Sequence, residues 1–218
     1  MYTHNYQIFR AGEPLSGAEK AIILLHGRGS TAENMLRLGE EFSLVKTALI
    51  APQATHRSWY PHSFLAEENQ NQPALDSAIA TISQTVEEVL EAGIVPENLF
   101  LLGFSQGACL TLEYAARNAR KLGGLIAFTG GLIGNTLKTE RYSGDFSGTP
   151  VLITTGDPDD HVPLSRVHES VGILQKSGAK TALHVYPGRP HTITQPEFGL
   201  AQQLFDGKFT PDQPPVAD

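Results

Sequence analysis

The stretch "NLFLLGFSQGAC" at residues 98–109 decides the fold. Leu99, Phe100, Leu101 and Leu102 form an unbroken apolar run, as a strand covered on both faces does. The run breaks at Gly103-Phe104-Ser105-Gln106-Gly107, and from about Gln106 to Asn118 apolar residues recur at helical spacing. Strand, serine between two glycines, helix: this is the G-x-S-x-G nucleophile elbow. The turn forces the serine into a strained backbone conformation. Side chains at 103 and 107 would collide with the neighbouring strand and helix, and glycine removes the collision. A helix starting near Gln106 also aims free N–H groups and a positive dipole end at the serine.

Other short apolar runs lie on either side. They are "AIILLHG" (21–27), "TALIAPQ" (47–53), "GLIAFTGG" (124–131), "VLITTGD" (151–157) and "TALHVYPG" (181–188). Most lack strict alternation, and Gly, Pro or Asp bounds them. Helical spacing appears between them at about Asp76–Ala92, Gln106–Asn118 and Leu164–Gln175. Such alternation predicts an α/β fold with a mostly parallel central sheet and helices on both faces. The first dozen residues are candidates for an antiparallel edge strand. One domain is expected over residues 1–207, with the Pro-rich end 208–218 as a loose tail.

Bulk properties exclude several functions. Among 218 residues, 40% are hydrophobic, enough for a full core. The net charge of −7 and the absence of a basic run give no support to nucleic-acid binding. No apolar run is long enough to span a membrane, and the N-terminus lacks the pattern of a secretory signal. The single Cys109 rules out an intrachain disulfide and fits a reducing compartment, so a cytoplasmic location is expected. A homodimer is compatible with the sequence, although no interface is located in it.

A serine needs a base, and the base needs an orienting acid. After an elbow they follow in the order Ser, Asp/Glu, His, each beyond a later strand. "YPGRPHTI" (186–193) places His191 after the last strand-like run. "TGDPDDHVP" (155–163) offers three acids, Asp157, Asp159 and Asp160, and the pattern alone does not choose between them. Any of these aspartates also suits a turn or a helix N-cap.

Together, "LLHGRGS" (24–30), "GFSQGA" (103–108), "GDPDDHVP" (156–163) and "GRPHTI" (188–193) resemble the phospholipase/carboxylesterase family of α/β-hydrolases, over about residues 20–195. The resemblance implies a single-domain α/β-hydrolase fold. Its G-x-x-D-x-x-V-P motif implies Asp159 as the acid, with Asp157 a turn residue and Asp160 an exposed neighbour. Many members have Pro at position 160, so Asp160 is a departure. The family places oxyanion-hole N–H groups on the residue after His-Gly, here Arg28, and on the residue after the serine, Gln106. Relatives usually carry a small or aliphatic residue at position 28. The Arg28 side chain is thus free to act on substrate or to lie in solvent. His26 is expected to pack beneath the oxyanion loop, and Cys109 to pack inside.

The segment "PQATHRSWYPHSFLAEENQNQP" (52–73) is long for a loop and rich in aromatics. The family places a Trp near the active site here, which implies a substrate contact by Trp59; the alternative is a loop cover that packs its own aromatics, with Trp59 as its anchor. His56, His62, Glu67 and Glu68 show no convincing metal-ligand spacing, so no metal is expected. Residues 132–149 are too short for more than a flap. The implied activity is hydrolysis of small-molecule carboxylic esters by Ser105, His191 and Asp159 through an acyl-enzyme, with no cofactor. A thioesterase or a lysophospholipase would use the same groups. A non-catalytic ligand-binding protein of this fold is the alternative from another class.

Overall fold

Successive residues of the central strands enter opposite apolar layers. In β2 (Lys20–Leu25), Ile22 and Leu24 face one layer while Ala21, Ile23 and Leu25 face the other. In β4 (Leu99–Phe104), Phe100 and Leu102 join the first layer, Leu99 and Leu101 the second. Burial on both faces explains the unbroken apolar runs.

The computed structural model describes residues 2–211. The remaining strands are β1 (Ile8–Gly12), β3 (Thr47–Pro52), β5 (Gly124–Phe128), β6 (Pro150–Asp157) and β7 (Lys180–Pro187). They form one sheet in the order β1-β3-β2-β4-β5-β6-β7. β1 runs antiparallel to β3, with Ile8 opposite Pro52, and the other pairs are parallel. The antiparallel edge expected at the N-terminus is present.

Helices α2 (Ala74–Glu91), α3 (Gln106–Arg117) and α4 (Leu164–Lys176) cover one face. The opposite face carries α1 (Ala32–Glu40) and α5 (Gln195–Phe205), which periodicity did not reveal. Both are short, and each holds an internal glycine, Gly39 or Gly199, that interrupts the apolar stripe. Each begins at a capping threonine. Thr31 accepts a hydrogen bond from the Asn34 N–H at 3.3 Å, and Thr194 with Glu197 forms a capping box.

The 132–149 segment folds down onto the body, with Leu132, Ile133 and Phe146 wholly buried. The Arg166 guanidinium holds its course by donating to the Leu132 carbonyl at 3.1 Å. Beyond α5, Phe209 packs on the α1/α5 layer. The rest of the expected tail, 212–218, lies outside the described residues. Among the described residues no helix is long and apolar enough to cross a membrane.

Candidate active site

The carboxyl ends of the parallel strands deliver the site, as in other open α/β sheets. Ser105 follows β4 with φ 54° and ψ −115°, a conformation that side-chain-bearing residues rarely adopt. Its N–H is tied to the Phe128 carbonyl at 3.0 Å. The two flanking glycines are obligatory. A Cβ on Gly103 would lie 2.2 Å from the Gly107 carbonyl oxygen, and one on Gly107 would lie 2.0 Å from the Leu25 carbonyl oxygen.

His191 arrives from the loop after β7. Its Nε2 lies 2.8 Å from Ser105 Oγ, and its Nδ1 lies 2.8 Å from Asp159 Oδ2. A carboxylate only accepts, so Nδ1 carries the proton and Nε2 accepts from the serine hydroxyl. Asp159, beyond β6, has a fully buried side chain. Burial works to raise its carboxyl. The hydrogen bonds from His191 and from the backbone N–H groups of His161 and Val162 outweigh burial and hold it below the usual carboxylate value. The structure therefore brings together Ser105, His191 and Asp159. Asp157 and Asp160 are exposed, and Asp160 borders the cleft without a bond to His191.

Ser105 opens into a cleft of about 660 Å³, within the usual range for small-molecule sites. Tyr60, Phe64, Leu65, Phe104, Val162 and Pro163 give it apolar walls, and Arg28, His62 and His161 add polar groups. Arg28 and Gln106 both border it beside the serine. The first bond of α3 runs from the Cys109 N–H to the Ser105 carbonyl at 3.0 Å, so the Gln106 N–H precedes the helical ladder. On the other side, the Gly29 N–H is spent on the Arg57 carbonyl and the Ser30 N–H on the Gly27 carbonyl.

The side chains of these same two residues do something the sequence did not reveal. Gln106 accepts from the Trp59 N–H through Oε1 and donates to the Tyr60 carbonyl through Nε2, each at 2.9 Å. The exposed Arg28 side chain borders the cleft, and its guanidinium is committed to the facing loop. Its guanidinium donates to the Pro61 carbonyl at 2.7 Å and the His62 carbonyl at 2.6 Å, and lies over the Tyr60 ring. The loop that walls the cleft is thus hung from the residues flanking the serine.

Of the two expected roles of Trp59, the substrate contact is the one the structure does not provide. Its side chain is wholly buried and absent from the cleft wall. The indole N–H donates to the His26 carbonyl at 2.9 Å, and the ring packs 5.1 Å from that of His26. It anchors the loop from behind, and Tyr60 through Leu65 form the wall. His26 is wholly buried beneath the turn that bears Arg28. Burial lowers its pKa and favours the neutral ring. Nδ1–H donates to the Gly27 carbonyl at 2.7 Å, and Nε2 accepts the Ala54 N–H at 3.1 Å. The Cys109 thiol is pushed up to about 12 by burial, which leaves it a packing group. Among the described residues no group of three or more His, Cys, Asp or Glu could hold a metal ion.

Also missed was a buried Arg189–Glu197 pair behind His191. The T-x-x-E spacing of Thr194 and Glu197 was its one sequence signal.

A serine elbow on an open, mostly parallel sheet wrapped by helices on both faces is the α/β-hydrolase fold. The family model described as phospholipase/carboxylesterase matches residues 7–206. The chain belongs to this family, and so to the carboxylic ester hydrolases by class. A crystal structure of a phospholipase/carboxylesterase from Dyadobacter fermentans DSM 18053 superposes with a TM-score of 0.92 at 55% identity, covering 94% of this chain and 98% of that one. A protein of Oryza sativa subsp. japonica named a "probable carboxylesterase" is 31% identical over 193 residues, 81% of this chain and 73% of that protein. An acyl-protein thioesterase 1 of Eremothecium gossypii is 27% identical over 197 residues, 81% of this chain and 83% of that protein.

Proposed function

We propose that the protein hydrolyses small carboxylic esters through an acyl-enzyme on Ser105. One observation carries the reading: the unbroken chain Asp159–His191–Ser105, 2.8 Å at each link, with the serine on a strained elbow facing the cleft. Ser105 Oγ attacks the ester carbonyl while His191 Nε2 takes its proton. The carbonyl oxygen becomes an oxyanion and is held by the backbone N–H groups of Arg28 and Gln106. Asp159 keeps the imidazole in its Nδ1–H tautomer and stabilises the imidazolium. His191 returns the proton to the leaving alcohol. Water, deprotonated in turn by His191, then releases the acid and restores the serine. The cycle draws on no cofactor. The apolar walls suit an aliphatic or aromatic substituent of modest size. The lone buried thiol fits a cytoplasmic setting.

Turnover of p-nitrophenyl acetate, together with stoichiometric labelling of Ser105 by a fluorophosphonate, tests the reading. Labelling of another residue, or parent-level turnover by Ser105→Ala, overturns it. Thioester hydrolysis is the second reading, favoured by the likeness to the fungal acyl-protein thioesterase. A matched pair of oxygen and sulfur esters with one acyl group discriminates by kcat/KM.

A further inference from the structure

The loop bearing His191 spans residues 188–194, and one buried carboxylate meets it at both ends. Glu197 is wholly buried in the first turn of α5. Its Oε2 accepts the N–H and the hydroxyl of Thr194, each at 2.8 Å. The same oxygen lies 3.8 Å from Nη1 of Arg189, whose side chain is also buried. Arg189 continues to Thr129, donating from Nη2 to Oγ1 at 2.7 Å. Glu197 Oε1 accepts the hydroxyl of Thr154 on β6. The loop is therefore tied through Arg189 to the end of β5, beside the Ser105 elbow, and through Glu197 to the strand that leads to Asp159.

Capping α5 does not require this. A capping box asks one oxygen of its Glu, works at the surface, and needs neither a strand hydroxyl nor a buried guanidinium. Burying a carboxylate is costly unless it is paired and fully hydrogen-bonded, as here. Thr129, the partner of Arg189, sits at φ 60°, an uncommon conformation for a β-branched residue and one that clusters at functional sites.

We propose that Glu197 is a positioning residue for the reaction. Acting through Arg189 and Thr194, it sets the His191 imidazole in line between Asp159 and Ser105. It touches no part of the cleft and contributes through placement alone. The proposal rests on the triad reading given above.

The test compares Glu197→Ala, Glu197→Gln and Thr129→Ala with the parent. Kinetics are measured on p-nitrophenyl acetate, and the downfield proton NMR resonance of the His191 Nδ1–H···Asp159 bond is recorded. Glu197→Ala should lower kcat about 10- to 100-fold with KM changed less than about twofold, since misplacing a catalytic group by about 1 Å costs about 10². Its downfield resonance should broaden or vanish. Glu197→Gln keeps an acceptor for Thr194 and an amide for Thr154, and should stay within about fivefold of the parent with the resonance retained. Thr129→Ala should lose roughly three- to tenfold in kcat, the scale of one lost buried hydrogen bond. A folded Glu197→Ala with a lower melting temperature but parental kcat and resonance overturns the proposal and leaves a helix cap. Should Glu197→Ala fail to fold, unchanged kcat and resonance in Thr129→Ala overturn it equally. The triad reading fails separately, if the parent shows no Ser105-dependent turnover. The resonance reports the imidazole's position even then.

Discussion

The two sides of the cleft are built by different rules. On the nucleophile side, Ser105, Asp159 and His191 stand at the ends of β4, β6 and β7, and backbone topology decides where each one points. On the facing side, residues 58–65 belong to no strand or long helix. They are held by Gln106, Arg28 and the Trp59 indole through hydrogen bonds to backbone groups. The proposed chemistry sits at the strand ends, and the wall of the cleft sits on the suspended part. A change on the first side should therefore act on kcat. A change on the second should act on stability or KM.

The largest effects should come from the strand-end side. Ser105→Ala and His191→Ala should each remove about 10⁶ in kcat, and the double variant should lose little more, because the two groups act as one unit. Steady-state rates with active-site titration check this. Additive losses would break the comparison at its base.

Asp159→Asn comes next, at roughly 10³–10⁴ in kcat, because an amide can donate and so admits the wrong imidazole tautomer. Asp160→Asn is its control and should remain within about twofold. The same residue carries a pH signature. Its folded carboxyl lies below the ordinary value, so its stabilisation is complete above an unfolded value of about 3.9 and is lost as pH falls through the lower folded value. Melting temperature should therefore fall less between about pH 5 and 3 in Asp159→Asn than in the parent. Equal acid slopes for the two proteins would contradict the hydrogen bonds assigned to its carboxylate.

The same division explains what is legible in the sequence. The meeting of Ser105 and His191 was legible because strand ends leave local traces: glycines two positions either side of the serine, and a histidine after the last apolar run. Asp159 needed the family motif, since Asp157, Asp159 and Asp160 are alike as local signals and only the turn decides which one is buried. The roles of Trp59 and the Arg28 side chain were not legible, because their partners are backbone carbonyls as many as 34 residues away. A carbonyl has no residue identity for a sequence to display. α1 and α5 escaped for a local reason: Gly39 and Gly199 interrupt the short apolar stripes on which periodicity depends.

Trp59→Ala sharpens the other half of the comparison. Removing a wholly buried indole should cost about 3–5 kcal/mol, a fall of roughly 10 °C in melting temperature for a domain of this size. Trp59→Phe keeps most of the packing and leaves the His26 carbonyl without its donor. It should cost about 1–3 kcal/mol. Calorimetry and a KM series over acyl lengths on one preparation separate anchoring from contact. A stable Trp59→Ala protein with a chain-length-dependent KM would restore the substrate contact that the burial argues against.

The smallest expected effect is at Arg28, where one residue serves both sides of the cleft. Its N–H is the proposed oxyanion donor, and its side chain grips the Pro61 and His62 carbonyls. Arg28→Ala retains the first and deletes the second, so the two roles come apart in one variant. Two charge-assisted hydrogen bonds are lost, but the guanidinium is exposed and water can replace it at both carbonyls. The net loss should be about 1 kcal/mol, near the lower end for hydrogen bonds involving charge. That energy belongs to the loop holding Tyr60 through Leu65, so it should appear as a KM raised about three- to tenfold, with kcat within about twofold. Arg28→Lys should recover little of the lost affinity, because a single ammonium cannot reproduce the fork that spans two neighbouring carbonyls. A kcat loss of about 10²–10³ in Arg28→Ala, the scale of a missing oxyanion donor, would place the side chain itself in the chemistry and erase the division between the two sides.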